Sequence, residues 1–160
     1  MPNPTDPSPH QRRNPTTGLD VSALSAGAQV TLWGIREWVD CAHNRRDVAA
    51  GLRVNFQQLR HPRLAIDLLD EWMSTLSAGA VRNVRICRHT CSCVNVDEQL
   101  LLEALQGLER GEITTAPSVL RPLLRGGLAR AFCRSALLYV EELNASGATL
   151  VGRRYLQAVT

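Results

Sequence analysis

The 160-residue chain contains no lysine, so all 18 of its basic residues are arginines. Fifteen carboxylates nearly balance them and leave a formal net charge of +3. So small an excess does not by itself indicate a polyanionic partner. Long apolar runs are also missing: the longest covers residues 136–140, whereas a membrane-spanning helix needs about 20 residues. The sequence therefore predicts no membrane span.

An export signal is lacking as well, because the first residues hold five prolines among polar residues and no apolar core. We interpret residues 1–24 as a disordered proline-rich tail, since such a composition buries too little surface to offset the entropy of ordering. We expect a cytoplasmic protein. In a reducing compartment its five cysteines are thiols or metal ligands rather than structural disulfides.

Motifs of catalysis are also lacking. The sequence has no nucleophile motif, no glycine loop that cradles a phosphate, and no paired His/Glu spacing for a metal. Gly126 and Gly127 form an isolated pair that matches no such loop. We therefore expect a protein that is not an enzyme and that has no cofactor, apart from the zinc considered below.

Apolar stripes at helical spacing are abundant, and they predict an all-α fold. Helices are expected over residues 25–43, 47–59, 62–77 and 95–110, with a short helix near Thr115 and a long one that Gly147 ends. The long helix is expected to bury Leu128, Ala131, Phe132, Ser135, Leu138, Tyr139 and Leu143. Together these make a compact bundle of five or six helices over residues 25–147. Residues 148–160 would form a C-terminal arm or a short strand.

Between the third and fourth predicted helices, residues 80–93 lack a helical stripe and are expected to be extended. We call this segment the connector. It contains Cys87, His89, Cys91 and Cys93. In an extended backbone Cys91 and Cys93 face the same side, so both can bind one metal ion, and Cys87 or His89 can join them. The spacing makes zinc binding one hypothesis for this segment.

Two other interpretations of the connector remain open. Arg82, Arg85 and Arg88 surround the cysteines with no acid between residues 80 and 96, and nearby positive charge favours reactive thiolates. A reversible disulfide, Cys91 with Cys93 or Cys87 with Cys91, would then make a redox sensor. In the third interpretation the cysteines are small apolar residues packed against the bundle.

The excess positive charge is C-terminal: residues 1–111 hold 12 arginines and 12 acids, whereas residues 112–160 hold six arginines and three acids. Arg121 with Arg125, and Arg130 with Arg134, are spaced one helical turn apart, so each pair can share a face that meets phosphate or an acidic partner. Aromatic residues for base stacking are missing there. Nucleic-acid binding through these arginines is therefore one of the alternatives.

The pair Asp97-Glu98, followed by Leu100–Leu102 and Leu105-Gln106, lies just after the cysteines, and the first helix carries Trp33, Arg36 and Trp38. With these residues the chain resembles a family of small bacterial all-helical proteins of uncharacterised function. The resemblance covers roughly residues 30–143 and implies an all-helical fold, with no activity or ligand.

Our leading hypothesis is a non-enzymatic helical protein that acts as a protein-interaction or regulatory module. This hypothesis is favoured by the missing catalytic motifs. It is also favoured by the proline-rich tail and the one-sided arginine face, because proteins often contact their partners through such features. The alternatives are a metal- or redox-responsive regulator that uses the cysteines of the connector, and a nucleic-acid-binding protein.

Overall fold

The computed structural model describes residues 16–152 of the chain. Its helices are α1 (Ala26–His43), α2 (Val48–Phe56), α3 (Pro62–Gly79), α4 (Val96–Glu109), α5 (Ala116–Val119) and α6 (Gly126–Ala145). Two short strands, β1 (Thr16–Asp20) and β2 (Cys93–Asn95), pair antiparallel, and a 3-10 turn (Val21–Ala23) follows β1. The predicted all-α bundle is confirmed. No helix among the described residues is both long and apolar enough to cross a membrane.

The helix starts follow the capping signals of the sequence. The Asp47 carboxylate accepts a hydrogen bond from the Ala49 amide at 3.1 Å and begins α2. At the start of α4, the Asn95 side chain accepts from the Glu98 amide at 2.8 Å, and Glu98 accepts from the Asn95 amide at 3.0 Å. This reciprocal pair is the capping box that the sequence predicts, and it satisfies two amides that the helix leaves unpaired.

The centre of the core is the contact between α3 and α6. The Trp72 ring lies edge-on to Phe132 and to Tyr139, with ring centroids 5.2 and 5.8 Å away. Tyr139 is fully buried, and its hydroxyl is paired with the Thr31 hydroxyl of α1 at 3.0 Å. Burial raises the pKa of Tyr139. The hydroxyl contact joins α1 to α6 through the middle of the bundle.

The buried face of α6 differs in part from the predicted one. Leu128, Ala131 and Leu138 are exposed, so their predicted burial is wrong. The helix instead buries Ala129, Phe132, Cys133, Ser135, Ala136, Tyr139, Val140, Glu142 and Leu143. The leucines of this helix lie on more than one face, since Leu128 and Leu138 are exposed whereas Leu143 is buried. Its rotation is set by the aromatic rings that pack on Trp72, which a hydrophobic pattern alone does not reveal.

The N-terminal part of the chain differs from the expected tail over residues 16–24. There β1 pairs with β2, and the Val21 amide donates to the Ser92 carbonyl at 2.8 Å. These main-chain bonds come from a distant segment, so local composition does not predict them. Residues 1–15, the rest of the expected tail, lie outside the described residues.

Of the expected C-terminal arm, residues 148–152 are described, and they contain no strand. The Leu150 and Val151 amides donate to the Glu109 carboxylate at 2.9 and 2.6 Å. The Leu150 carbonyl accepts from the Ser25 hydroxyl at 2.7 Å. The arm is therefore tied to the end of α4 and the start of α1. Residues 153–160 lie outside the described part.

Candidate functional site

The connector is anchored by a buried ion pair. Arg36 of α1 is 4% exposed, and Glu98 of α4 is fully buried. The guanidinium donates to both carboxylate oxygens of Glu98, at 2.9 and 3.0 Å. Its other hydrogen bonds go to the Cys91 carbonyl at 2.7 Å and the Cys93 carbonyl at 2.9 Å. Burial is the largest single influence on the pKa of Arg36 and lowers it, but the hydrogen bonds and charge of Glu98, with the nearby Cys87 and Cys91, together outweigh burial and raise this pKa.

Glu98 also holds the other end of the cysteine segment. Its Oε1 accepts a hydrogen bond from the Cys87 amide at 2.9 Å. The Asn95 side chain donates to the Arg85 carbonyl at 2.9 Å and to the Cys87 sulfur at 3.4 Å. The backbone of an irregular segment thus finds its partners in buried side chains of α1 and α4.

A second carboxylate fixes the first half of the connector. Asp97 is 4% exposed. It accepts two hydrogen bonds from the Arg82 guanidinium, at 2.8 and 2.7 Å, and one from the Arg85 amide at 2.8 Å. The bonds from Arg82 hold the pKa of Asp97 below its usual value, although burial acts in the opposite direction. The pair is a fork-to-fork contact with a fixed geometry.

These carboxylates correct the expected electrostatics of the cysteines. Positive charge was expected to favour thiolate, yet the folded chain brings Glu98 to Cys87. Burial raises the pKa of the Cys87 thiol to about 11, and the charge of Glu98 and the hydrogen bond with Cys91 act in the same direction. The acids come from helices outside the segment, so counting charges along the connector missed them. Cys87 is therefore a protonated thiol at neutral pH.

The four predicted metal ligands occupy different environments. The Cys87 sulfur accepts from the Asn95 side chain at 3.4 Å, the Cys91 sulfur donates to the Cys93 carbonyl at 3.4 Å, and the Cys93 sulfur lies 3.9 Å from the Ser92 hydroxyl. The His89 Nε2 lies 2.7 Å from the Glu37 carboxylate. Within residues 16–152, no three His, Cys, Asp or Glu side chains are grouped so that they could hold a metal ion. Zinc binding stays a prediction from spacing alone.

The remaining cysteines belong to helices, Cys41 to α1 and Cys133 to α6. Cys41 and Cys133 are both buried. The Cys41 sulfur contacts the Glu37 carboxylate at 3.5 Å. Burial is the largest cause of the raised pKa of Cys41. Burial also raises the pKa of Cys133 to about 11. Both cysteines fit the interpretation of small apolar core residues.

An open hollow of about 600 Å³ lies between α1 and the end of the connector. Its lining includes Trp33, Arg36, His89 and Cys91. The His89 ring stacks against Trp33 with centroids 5.2 Å apart, and Glu37 holds it from the other side. A partly exposed aromatic ring, an imidazole and a thiol therefore face one concave surface.

A second hollow, of about 300 Å³, lies on the other flank, between α1, α3 and the start of the connector. Its wall is mostly apolar and includes Trp38, Met73, Leu76, Val84 and Ile86. The Trp38 indole is fixed by a hydrogen bond to Asp70 at 2.7 Å. The connector therefore forms a ridge between two depressions, each with a tryptophan in its wall.

Sequence reasoning found the cysteine segment but missed the side chains that hold it. The sequence pattern marks Glu98 as a helix cap, and it gives Arg36 and Glu37 no role in the connector. The available signal was a pair of charges next to apolar residues: Arg36 and Glu37 lie between Ile35 and Trp38 in α1. Charged residues are buried mainly when they are paired.

The C-terminal arginines lie elsewhere, beside α5 and the start of α6. Arg130 and Arg134 are on α6, one turn apart, as predicted. Arg121 and Arg125 do not share a helix, because α5 ends at Val119 and α6 begins at Gly126. The expected common face for this pair is therefore wrong, and the intervening Pro122 explains the break.

Function has to be argued from these residues and their geometry. Comparison of the chain with protein-family models, with curated proteins and with solved structures gives no match.

Proposed function

We propose that this protein is a non-enzymatic module that binds an acidic surface of another protein through the connector and the two hollows beside it. The observation that carries the proposal is the Arg36–Glu98 network, which holds an irregular, exposed segment in one conformation. Rigidly positioned loops are where proteins commonly place their binding residues.

The energetic cost of the network supports this function. Burying Arg36 and Glu98 requires the desolvation of two charges, and well-packed apolar residues would stabilise a bundle at least as well. A purely structural connection between α3 and α4 would need no such pair. The network instead specifies the path of the connector, and a preordered segment loses less entropy when it binds.

The exposed side chains suit a protein partner. Trp33 offers a half-buried aromatic ring in the larger hollow, and Trp38 does so in the smaller one. Aromatic residues and arginine are enriched at protein interfaces and dominate their binding energy.

The charge of the connector indicates the chemistry of the partner. The exposed Arg85 and Arg88 form no salt bridge within the part of the chain that the structure describes. Arg82, by contrast, is neutralised by Asp97. Two exposed guanidinium groups without a salt bridge favour a partner that presents carboxylates.

Site-specific photo-crosslinking in cells tests the proposal. A photoreactive amino acid replaces Thr90, which is exposed and lines the larger hollow, or Glu141, which is exposed on α6. We expect one discrete protein adduct from position 90 that is missing from position 141. The adduct should be lost in the R85E/R88E variant.

The matched control reverses two other exposed arginines, as R60E/R63E, and should keep the adduct. Equal loss in both double variants would indicate a nonspecific charge effect and would contradict the proposal. An adduct that persists in R85E/R88E would contradict it too.

A redox-responsive regulator is the second candidate, and the proximity of Cys91 to Cys87, which contributes to the raised pKa of Cys87, favours it. Cys91 lines the open hollow and would meet hydrogen peroxide first. Its sulfur would be oxidised to a sulfenic acid as the peroxide O–O bond breaks and water leaves. The Cys87 thiol would then lose its proton and attack the sulfenic sulfur, forming a disulfide, and the proton would leave with the sulfenic hydroxyl as a second water.

Mass spectrometry of peroxide-treated protein tests this candidate. A Cys87–Cys91 disulfide lowers the mass by about 2 Da through loss of two hydrogens. The disulfide should form in C93S and not in C91S. Mapping of the disulfide to Cys91 and Cys93, or free Cys87 after treatment, would exclude the mechanism.

A further inference from the structure

We propose that the hollow between α5 and α6 binds a small phosphate ester that carries an aliphatic group. This hollow, of about 420 Å³, is lined by residues that include Arg121, Arg130, Ser118 and Thr114. It belongs to neither hollow beside the connector, so this proposal is independent of the protein-binding function.

The electrostatics of this region favour an anion. Residues 113–140 contain four arginines and no Asp or Glu. None of these arginines forms a salt bridge within residues 16–152. Of the two acids that flank this stretch, Glu112 is paired with Arg110 at 3.0 Å, and Glu141 lies toward the opposite end of α6 from Gly126. Positive charge is therefore uncompensated around the hollow, which raises the local concentration of anions.

The donors in the wall suit a phosphate group. The planar guanidinium groups of Arg121 and Arg130 present paired N–H donors that match phosphate oxygens, and the hydroxyls of Ser118 and Thr114 add donors. Gly126 and Gly127 complete this side of the hollow. A Cβ built on either one meets nothing within 4 Å, so a ligand oxygen can approach the main chain closely.

An adjoining hollow supplies an apolar surface. It also measures about 420 Å³ and shares Thr114 and Arg130 with the basic hollow. Its wall includes Leu137 and Ile113, and Ile113 is 55% exposed. An aliphatic chain of a few carbons, attached to a phosphate held by Arg130, would cover this exposed surface and gain transfer free energy.

A small ester fits these surfaces better than a nucleic acid does. Neither hollow has an aromatic residue in its lining. Proteins that bind single strands rely on aromatic rings for base stacking. Binding of an oligonucleotide is therefore an alternative outcome of the test.

Chemical-shift titration of the full chain with n-hexyl phosphate, inorganic phosphate and a 12-nucleotide single-stranded DNA tests the proposal. We expect hexyl phosphate to shift amides within residues 113–137, and inorganic phosphate to shift a subset of them more weakly. In R121M/R130M the Kd for hexyl phosphate should rise about tenfold or more, whereas R60M/R63M should leave it unchanged within about twofold. Because these arginines are exposed, the remaining spectrum should show both variants folded.

Ile113→Ala separates the two parts of the site. It should weaken hexyl phosphate binding while leaving inorganic phosphate binding unchanged. The proposal is overturned if R121M/R130M binds hexyl phosphate as tightly as the wild type, if the shifted amides lie outside residues 113–137, or if the oligonucleotide binds and hexyl phosphate does not.

Discussion

Arg36 and Glu98 lie 62 positions apart in the chain and form a buried bidentate ion pair, with N–O distances of 2.9 and 3.0 Å. Each partner also bonds the backbone of the connector, Arg36 at the Cys91 and Cys93 carbonyls and Glu98 at the Cys87 amide. One pair of side chains therefore joins α1, α4 and the proposed binding surface.

Replacing Arg36 with methionine should be severely destabilising. The Arg36→Met variant leaves Glu98 buried without its cationic partner and removes the guanidinium donors from the Cys91 and Cys93 carbonyls. Such a break costs about 3–5 kcal/mol. Urea unfolding at pH 7 measures the loss. Arg53→Met is the matched control, because Arg53 is exposed on α2, and a surface change of this kind stays within about 0.5 kcal/mol. Equal effects in the two variants would contradict the role of the pair.

The Arg82–Asp97 pair should make stability depend on pH in a specific direction. Arg82 lowers the pKa of Asp97 in the folded state. The stabilisation is therefore present above the unfolded-state pKa of about 3.9 and is lost as pH falls through the lower folded-state pKa. The Arg82 side chain is 45% exposed. Because solvent screens its charge, Arg82→Met should lower the free energy of unfolding at pH 7 by only about 1 kcal/mol.

Unfolding of Arg82→Met and the wild type at pH 7 and at pH 2–3 checks this direction. The deficit in the free energy of unfolding should shrink at the acidic pH, which lies below the unfolded-state pKa of about 3.9, so that the stabilisation by the pair is being lost there. Arg88→Met, which removes the same charge from an exposed position of the connector, should show no such change. A deficit for Arg82→Met that is constant over this range would count against the pair.

Two leucines of α6 test the observed rotation of this helix. Leu143 is fully buried, whereas Leu138 is 51% exposed. Leu143→Ala should cost about 2–5 kcal/mol because it removes buried methyl groups and leaves a cavity, and Leu138→Ala should cost less than about 0.5 kcal/mol. Thermal or urea unfolding of both variants measures the difference. Comparable losses of unfolding free energy in the two variants would indicate that Leu138 is buried, as the sequence pattern predicts, and would contradict the observed rotation of α6.

Two glycines test the packing of the C-terminal arm. A Cβ at Gly27 would lie 2.5 Å from the Ala148 and Thr149 carbonyl oxygens, so Gly27→Ala should push the arm away from α1. We expect a loss of about 1–3 kcal/mol, as for overpacking elsewhere. Gly126→Ala meets no atom within 4 Å and should be neutral or slightly stabilising. A neutral Gly27→Ala would show that the arm does not pack as described.

The sequence predicts the helices well because apolar periodicity and caps are local signals. Asp47, Asn95 and Pro62 mark helix starts that the structure confirms. The rotation of α6 is not local, since it depends on how Phe132 and Tyr139 meet Trp72 of α3. The strand at residues 16–20 depends on β2, which follows far along the chain.

The site was predicted only in part for the same reason. Cys87, His89, Cys91 and Cys93 are close in sequence, so their clustering is visible there. Their environment is set by Glu37 of α1 and Glu98 of α4, which tertiary folding brings to the segment. The expectation of reactive thiolates failed at Cys87 because the opposing carboxylate lies outside the segment.

Binding of the crosslinked partner, once purified, tests the proposed recognition surface most directly. Isothermal titration compares the wild type, R85E/R88E and R60E/R63E at one ionic strength. We predict that the Kd rises about tenfold or more for R85E/R88E and changes less than about twofold for R60E/R63E. A Kd for R85E/R88E equal to that of the wild type would contradict recognition through the connector.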